Sequence, residues 1–219
     1  MNKSNYEFVN PNTIIFLAGV PLSGKTTLAS LIVSAIRGCS LQSMDILRIL
    51  AQEFEKQKPQ AKRNQFVSYG SCDSYRLIGN GLYSDKNLIV GFKAYSLAVT
   101  SLLSKIIPKL ENQGVKDLLF EGVQLTPDLV APWLNYKNKL IILTLNKNHM
   151  ERNGKKIFTK EPELRQRYSS DKLLLLQEEI ISQSKVIPNG QVLIVDNNST
   201  IASVLAKIFK FLLKTEVIK

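Results

Sequence analysis

The chain has 219 residues, 44% of them apolar, and 29 basic against 18 acidic side chains give it a net charge of +11. That apolar share excludes a disordered protein, and the length suits a single α/β domain, residues 1–219, with a substantial core. The basic balance calls for an anionic partner. Because no long run of like charges occurs, a small anionic molecule is the first choice and nucleic acid the second.

Residues 1–12 are polar and end in Asn10-Pro11-Asn12, which reads as a short arm before the first strand. Thr13 to Ala18 is an apolar, β-branched run, and Thr27 to Arg37 has a helical pattern closed by Gly38. Between them stands Gly19-Val20-Pro21-Leu22-Ser23-Gly24-Lys25-Thr26, which meets the phosphate-loop spacing G-x-x-x-x-G-K-[ST] in full. Polyphosphate must be met by several backbone N–H groups at once, and a helix N-terminus supplies free donors and a favourable dipole. Residues Gly19 to Thr27 are therefore expected to bind ATP. Lys25 would reach the β- and γ-phosphates, and the Thr26 hydroxyl would meet Mg²⁺.

A short second strand, about Ser40 to Ser43, leads to Asp45, after which Ile46, Leu47, Ile49 and Leu50 recur at helical spacing. Residues 66–85, with Gly70, Gly79 and Gly81, fit no regular element and read as an insertion covering one side of the site. Ser84 or Asp85 can cap a long helix from about Lys86, with a break or kink expected at Pro108 and an end at Asn112-Gln113-Gly114. The apolar window Leu88 to Leu110 is interrupted by Lys93 and Lys105, so it is expected to be a buried helix and not a membrane span. Leu118-Leu119-Phe120 and Leu140 to Leu145 read as strands buried on both faces. Helices are expected over about Lys147 to Lys156 and Pro162 to Val186, then a fifth strand at Val192 to Val195. Asp196-Asn197-Asn198-Ser199 is expected to cap a last helix, about Thr200 to Lys214. Strands alternating with helices imply a five-stranded parallel sheet flanked by helices, with ligands beyond the carboxyl ends of its strands.

That rim gathers the chemistry. Asp45 and Arg48 lie one helical turn apart, so the carboxylate can orient or deprotonate an acceptor hydroxyl while the guanidinium binds an anionic group. A helix cap with an internal ion pair is the competing structural role. Glu121 follows the third strand directly and can hold Mg²⁺ through water or bind the acceptor. The window Lys147 to Lys172 carries eight basic residues against four acidic ones. It is expected to form a helical lid, with Arg152 in a catalytic role and Arg165 and Arg167 as further candidates to neutralise transferring phosphate. His149, the single histidine, is given no role as a base. The chain ends carry no signal or lipid-anchor pattern, and Cys39 and Cys72 lack metal or redox spacing. A cytoplasmic protein with core thiols is expected.

The order of G-V-P-L-S-G-K-T, then D-I-L-R, then F-E-G-V-Q-L-T-P from Phe120 to Pro127 resembles the 2-phosphoglycerate kinase-like branch of the P-loop kinases. The resemblance runs over roughly residues 13–210. It implies a nucleoside/adenylate-kinase-like fold with a mobile lid, ATP and Mg²⁺ as partners, and a small anionic acceptor that Asp45, Arg48, Glu121 and Gln124 would bind. Gln124 stands where that family's pattern has histidine, and Leu22 where a small residue is usual. Antibiotic phosphotransferases of the chloramphenicol type and zeta-toxin-like kinases of nucleotide sugars or nucleic acid are similar over the P-loop and second strand. A nucleotide-binding regulatory protein without transfer activity is the alternative from a different class.

Overall fold

The computed structural model describes residues 6–159 and 168–219. Its elements in chain order are β1 (Ile14–Gly19), α1 (Lys25–Ala35), β2 (Cys39–Ser43), α2 (Met44–Lys56), α3 (Asp85–Thr100), α4 (Leu103–Asn112), β3 (Asp117–Glu121) and α5 (Pro127–Val130). They continue with β4 (Lys139–Thr144), α6 (Lys147–Phe158), α7 (Ser170–Ser184), β5 (Val192–Asp196) and α8 (Ile201–Lys214). The strands form one five-stranded parallel sheet in the order β2-β3-β1-β4-β5. The expected α/β architecture is thus present.

Side chains alternate across a strand, so each interior strand feeds two cores. Ile14, Phe16 and Ala18 of β1 join Leu118 and Phe120 of β3 and the inner stripes of α3, α4 and α7 on one face. Ile15 and Leu17 join Leu119, Ile141 and Leu143 and the inner stripes of α1 and α8 on the other. All six β1 residues are buried, which is why this run lacks polar alternation. The N-terminal segment is more than an arm. Tyr6 bridges to Ile36, Phe8 bridges to Ile218, and the Tyr6 ring stacks on Phe209.

Two local expectations need correction. The long helix after Ser84 breaks at Ser101–Leu102, between α3 and α4, while Pro108 stays inside α4. A proline ring crowds the carbonyl four residues before it, here that of Ser104, which lies inside α4, so Pro108 does not account for the break. Ser84 is the cap, its hydroxyl accepting from Asn87 N at 3.1 Å. The last helix is capped by Thr200, whose hydroxyl accepts from Ser203 N, whereas Asp196 ends β5. The start expected near Pro162 for the helix that includes α7 falls in residues 160–167, outside the described residues. The run Asp85–Asn112 has the length and hydropathy of a membrane-crossing helix. It buries Leu88, Phe92, Tyr95, Val99, Leu103 and Ile107 in the core, in keeping with a core helix.

Residues 57–84, read from sequence as partly unplaceable, form short 3₁₀ turns at Gln60–Lys62, Gln65–Ser68 and Ser74–Leu77. The last of these lies directly on α3 at Gly91, where a Cβ would stand 2.5 Å from Tyr75 N and 2.7 Å from Ser74 O. Gly91→Ala is therefore expected to destabilise the fold, although alanine is the better helix former by up to about 1 kcal/mol. Forcing backbone aside costs about 1–3 kcal/mol, read as a Tm lowered by several degrees. An unchanged or raised Tm in thermal unfolding would show that the turn moves aside freely.

Candidate functional site

The P-loop turns between β1 and α1 with Leu22 at φ 69° and Gly24 at φ 85°. Both lie in the left-handed region, which costs a leucine about 1–2 kcal/mol and a glycine almost nothing. The Leu22 side chain recovers contact by packing against the core. The first-turn N–H groups of α1 have no intrahelical acceptor, as at any helix start.

The Lys25 ammonium folds back under the loop, donating to Val20 O at 2.9 Å and approaching Ser23 Oγ at 3.5 Å. Burial is the main cause of its lowered pKa, which falls from 10.5 to about 8; Glu121 and Asp45 oppose the shift and hold it from falling further. The lysine of the loop, the Asp45 carboxylate after β2 and the Glu121 carboxylate at the end of β3 thus share one electrostatic neighbourhood.

Asp45 stands in the first turn of α2, but Ser43 occupies the cap position. The Ser43 hydroxyl does not cap; it donates to Glu121 Oε1 at 3.0 Å, fixing a carboxylate that is only 5% exposed. Asp45 Oδ1 accepts from Gln124 Nε2 at 3.0 Å and lies 3.9 Å from Arg48 Nε. Its side chain keeps 66% of its surface exposed. Arg48 also donates to Val67 O at 3.3 Å and Gln52 Oε1 at 3.4 Å, tying α2 to the insertion. Gln124 is wholly buried and shares its amide between Asp45 and the Tyr95 hydroxyl. Its reach is to Asp45 and not to open space. Burial, followed by the Asp45 charge, pushes the Tyr95 hydroxyl pKa upward, so that this phenol stays protonated.

Lys25 also lines a cavity of about 610 Å³, together with the loop, His149, Arg152 and Asn153 of α6, and Asn197, Ser199 and Ile201 after β5. Asn146 caps α6, accepting from His149 N at 2.9 Å, and its Oδ1 also lies 3.0 Å from His149 Nδ1. Arg152 therefore meets the cavity, whereas Arg165 and Arg167 lie outside the described residues. Among the described residues no cluster of three His, Cys, Asp or Glu could hold a metal unaided. Mg²⁺ fits this donor set differently: it keeps several waters and takes few protein oxygens beside phosphate, and the Thr26 hydroxyl and Glu121 carboxylate are hard ligands of that kind.

Sequence reasoning missed Ser43, Tyr95, Asn153 and Asn197. Asn197 had a signal, since it follows the fifth strand and so belongs to the ligand-bearing rim. The other three are ordinary polar residues in helical or strand pattern, brought in by packing alone.

No protein-family model matches the sequence, and no curated protein does. Among solved structures the chain is similar to a thymidylate kinase from Candida albicans, with 16% identity, 95% of each chain covered and a TM-score of 0.48. It is also similar to a Janibacter sugar kinase, with 12% identity, 92% of this chain and 95% of the other covered, and a TM-score of 0.49. At such identities the likeness concerns chain architecture alone.

Proposed function

We propose that this protein is a P-loop kinase that moves the γ-phosphoryl group of ATP to a hydroxyl of a small anionic acceptor. The observation that carries the reading is the single neighbourhood of Lys25, Asp45 and Glu121, in which Lys25 lines a nucleotide-sized cavity and Asp45 belongs to the Asp45–Arg48–Gln124 group. In the transfer, the acceptor hydroxyl oxygen bonds to γ-phosphorus, the bond from γ-phosphorus to the β,γ-bridging oxygen breaks, and ADP leaves. Asp45 takes the hydroxyl proton, and Lys25 and Arg152 offset charge on the phosphates. Mg²⁺, held by Thr26 and through water by Glu121, would neutralise charge on the phosphate oxygens. Gln124 and Tyr95 hold Asp45 in place. The first acceptor to try is a phosphorylated hydroxy acid such as 2-phosphoglycerate, on the strength of the E-G-V-x-L-x-P segment and Arg48.

The net charge of +11 favours one further reading, a kinase of nucleic acid or nucleotide sugars. Measuring ADP release with ATP and Mg²⁺ against 2-phosphoglycerate, nucleosides, nucleotide sugars and 5′-hydroxyl RNA at two salt concentrations separates the readings. Stimulation by a small acid supports the proposal. RNA-dependent turnover that collapses at higher salt would replace it. ATP binding without stimulation by any acceptor would favour a nucleotide-binding regulator.

The lowered Lys25 pKa gives a pH signature with two opposite signs. Bound phosphate keeps the lysine charged, so above pH 8 binding must take up a proton. Nucleotide affinity is expected to fall roughly tenfold between pH 7 and pH 9. Stability moves the other way. The unfolded lysine, at 10.5, holds more protons than the folded one from about pH 8 to 10.5, so this group's contribution to stability rises with pH across that window. Calorimetric titration at the two pH values in buffers of different ionisation enthalpy reads the proton uptake directly. A flat affinity with no proton uptake would mean that Lys25 is not desolvated.

A further inference from the structure

Two side chains outside the P-loop grip its carbonyl groups. Asn197 Nδ2 donates to Ser23 O at 2.7 Å, and Asn153 Nδ2 donates to Leu22 O at 3.0 Å. In a planar trans peptide the C=O and the following N–H point in opposite directions, so fixing one fixes the other. The bond from Asn197 therefore sets the direction of the Gly24 N–H, the last before the helix. The bond from Asn153 sets that of Ser23, whose N–H closes the loop on Val20 O at 3.2 Å. Leu22, at φ 69°, is a non-glycine residue in the left-handed region, a conformation that persists where the surroundings over-determine it.

We propose that Asn153 and Asn197 are positioning residues that hold the P-loop ready for phosphate before any ligand arrives, each acting through one peptide of the loop. The proposal rests on the nucleotide-binding reading above. Asn197 is itself firmly placed, because its N–H extends the sheet by donating to Thr144 O at 2.9 Å. Gly24 makes room for it: a Cβ there would meet Asn197 Nδ2 at 2.8 Å, so a side chain at Gly24 would push the clamp out. Asn153 comes from α6, the helix that also brings Arg152 to the cavity. The basic helix and the phosphate loop are thereby joined, and a shift of α6 reaches the loop through the Leu22 carbonyl. Preset donors spare the ligand the ordering of the loop, which is where such residues add affinity.

The test compares ATP with inorganic tripolyphosphate, which has the phosphates and no nucleoside, by calorimetric titration of wild type and variants. Asn197→Ala and Asn153→Ala are each expected to weaken both ligands by the same factor, roughly three- to tenfold, as for one net hydrogen bond. Asn197→Gln, which retains the donor, should recover part of the loss. Weakened ATP with unchanged tripolyphosphate would mean direct contact with the nucleoside and would overturn the proposal. So would a lowered Tm with both affinities intact, the mark of a merely structural tie. A wild type that binds ATP and tripolyphosphate while both alanine variants bind equally well removes the clamp alone. A wild type that binds neither removes the nucleotide reading and the clamp with it. If Asn197→Ala fails to fold, Asn153→Ala carries the same comparison.

Discussion

Lys25→Ala is expected to cut acceptor-dependent phosphoryl transfer by at least 10²–10³, the scale on which removing one preorganised charge-stabilising group acts. It should do so without harming the fold. The ammonium is desolvated under the loop, with a pKa lowered to about 8, so the folded state bears a cost for its charge that alanine removes. Against that stand the loss of the bond to Val20 O and of the attraction to Glu121 and Asp45, which the burial cost outweighs. The combination of abolished transfer with an unchanged or raised Tm separates a catalytic lysine from a structural one. Wild-type turnover in a well-folded variant would remove the P-loop from the mechanism. A large drop in Tm would show that the lysine is chiefly a brace for the loop.

Asp45→Asn should lower turnover by about 10²–10⁴, the usual contribution of a general base, while leaving the fold and nucleotide affinity near neutral pH almost unchanged. The substitution is clean because asparagine can still accept from Gln124 Nε2, so the link that holds the side chain survives. A capping role would predict silence, since asparagine caps as well as aspartate. The structure already weakens that role by giving the cap position to Ser43. There is a second readout. Asp45 raises the Lys25 pKa, so removing its charge lowers that pKa and moves the pH at which nucleotide affinity falls to a lower value. If turnover and the pH profile both stay put, Asp45 is a bystander, and Glu121, fixed by Ser43, becomes the carboxylate to test.

The sheet and the P-loop were legible because their causes are local. A strand buried on both faces must be apolar throughout, as Ile14–Gly19 is, and a loop that meets phosphate with backbone must place its glycine and lysine at set intervals. The place of Asp45 in the first turn of α2 was legible for the same reason, since helical spacing follows it at once. The helix break was misplaced because Pro108 is visible in sequence, whereas the break at Ser101–Leu102 has no glycine or proline to mark it. The shape of residues 57–84 was out of reach, because it depends on α2 and α3 offering Arg48 and the bare backbone of Gly91 as a seat. Gln124 showed where it lies but not what it does. Whether an amide faces a ligand or a neighbouring carboxylate is decided by Tyr95 and Asp45, from elements 29 and 79 residues away.

β1 lies at the centre of the sheet, yet it precedes the other four strands in the chain and leaves the ribosome before them. Its partners β3 and β4 begin at Asp117 and Lys139, so Ile-Ile-Phe-Leu-Ala-Gly must wait for roughly a hundred further residues. At ordinary rates of synthesis that wait lasts about 5–20 s, with both edges of an apolar, β-branched segment bare. Such a segment pairs readily with other chains. The yield of native protein is thus decided by a race between β3 arriving and a neighbouring nascent chain arriving first. Slower translation lengthens the exposure and a strand-holding chaperone shortens it. Nucleotide can help only afterwards, because β4 and β5, which carry Asn153 and Asn197 towards the loop, come later still.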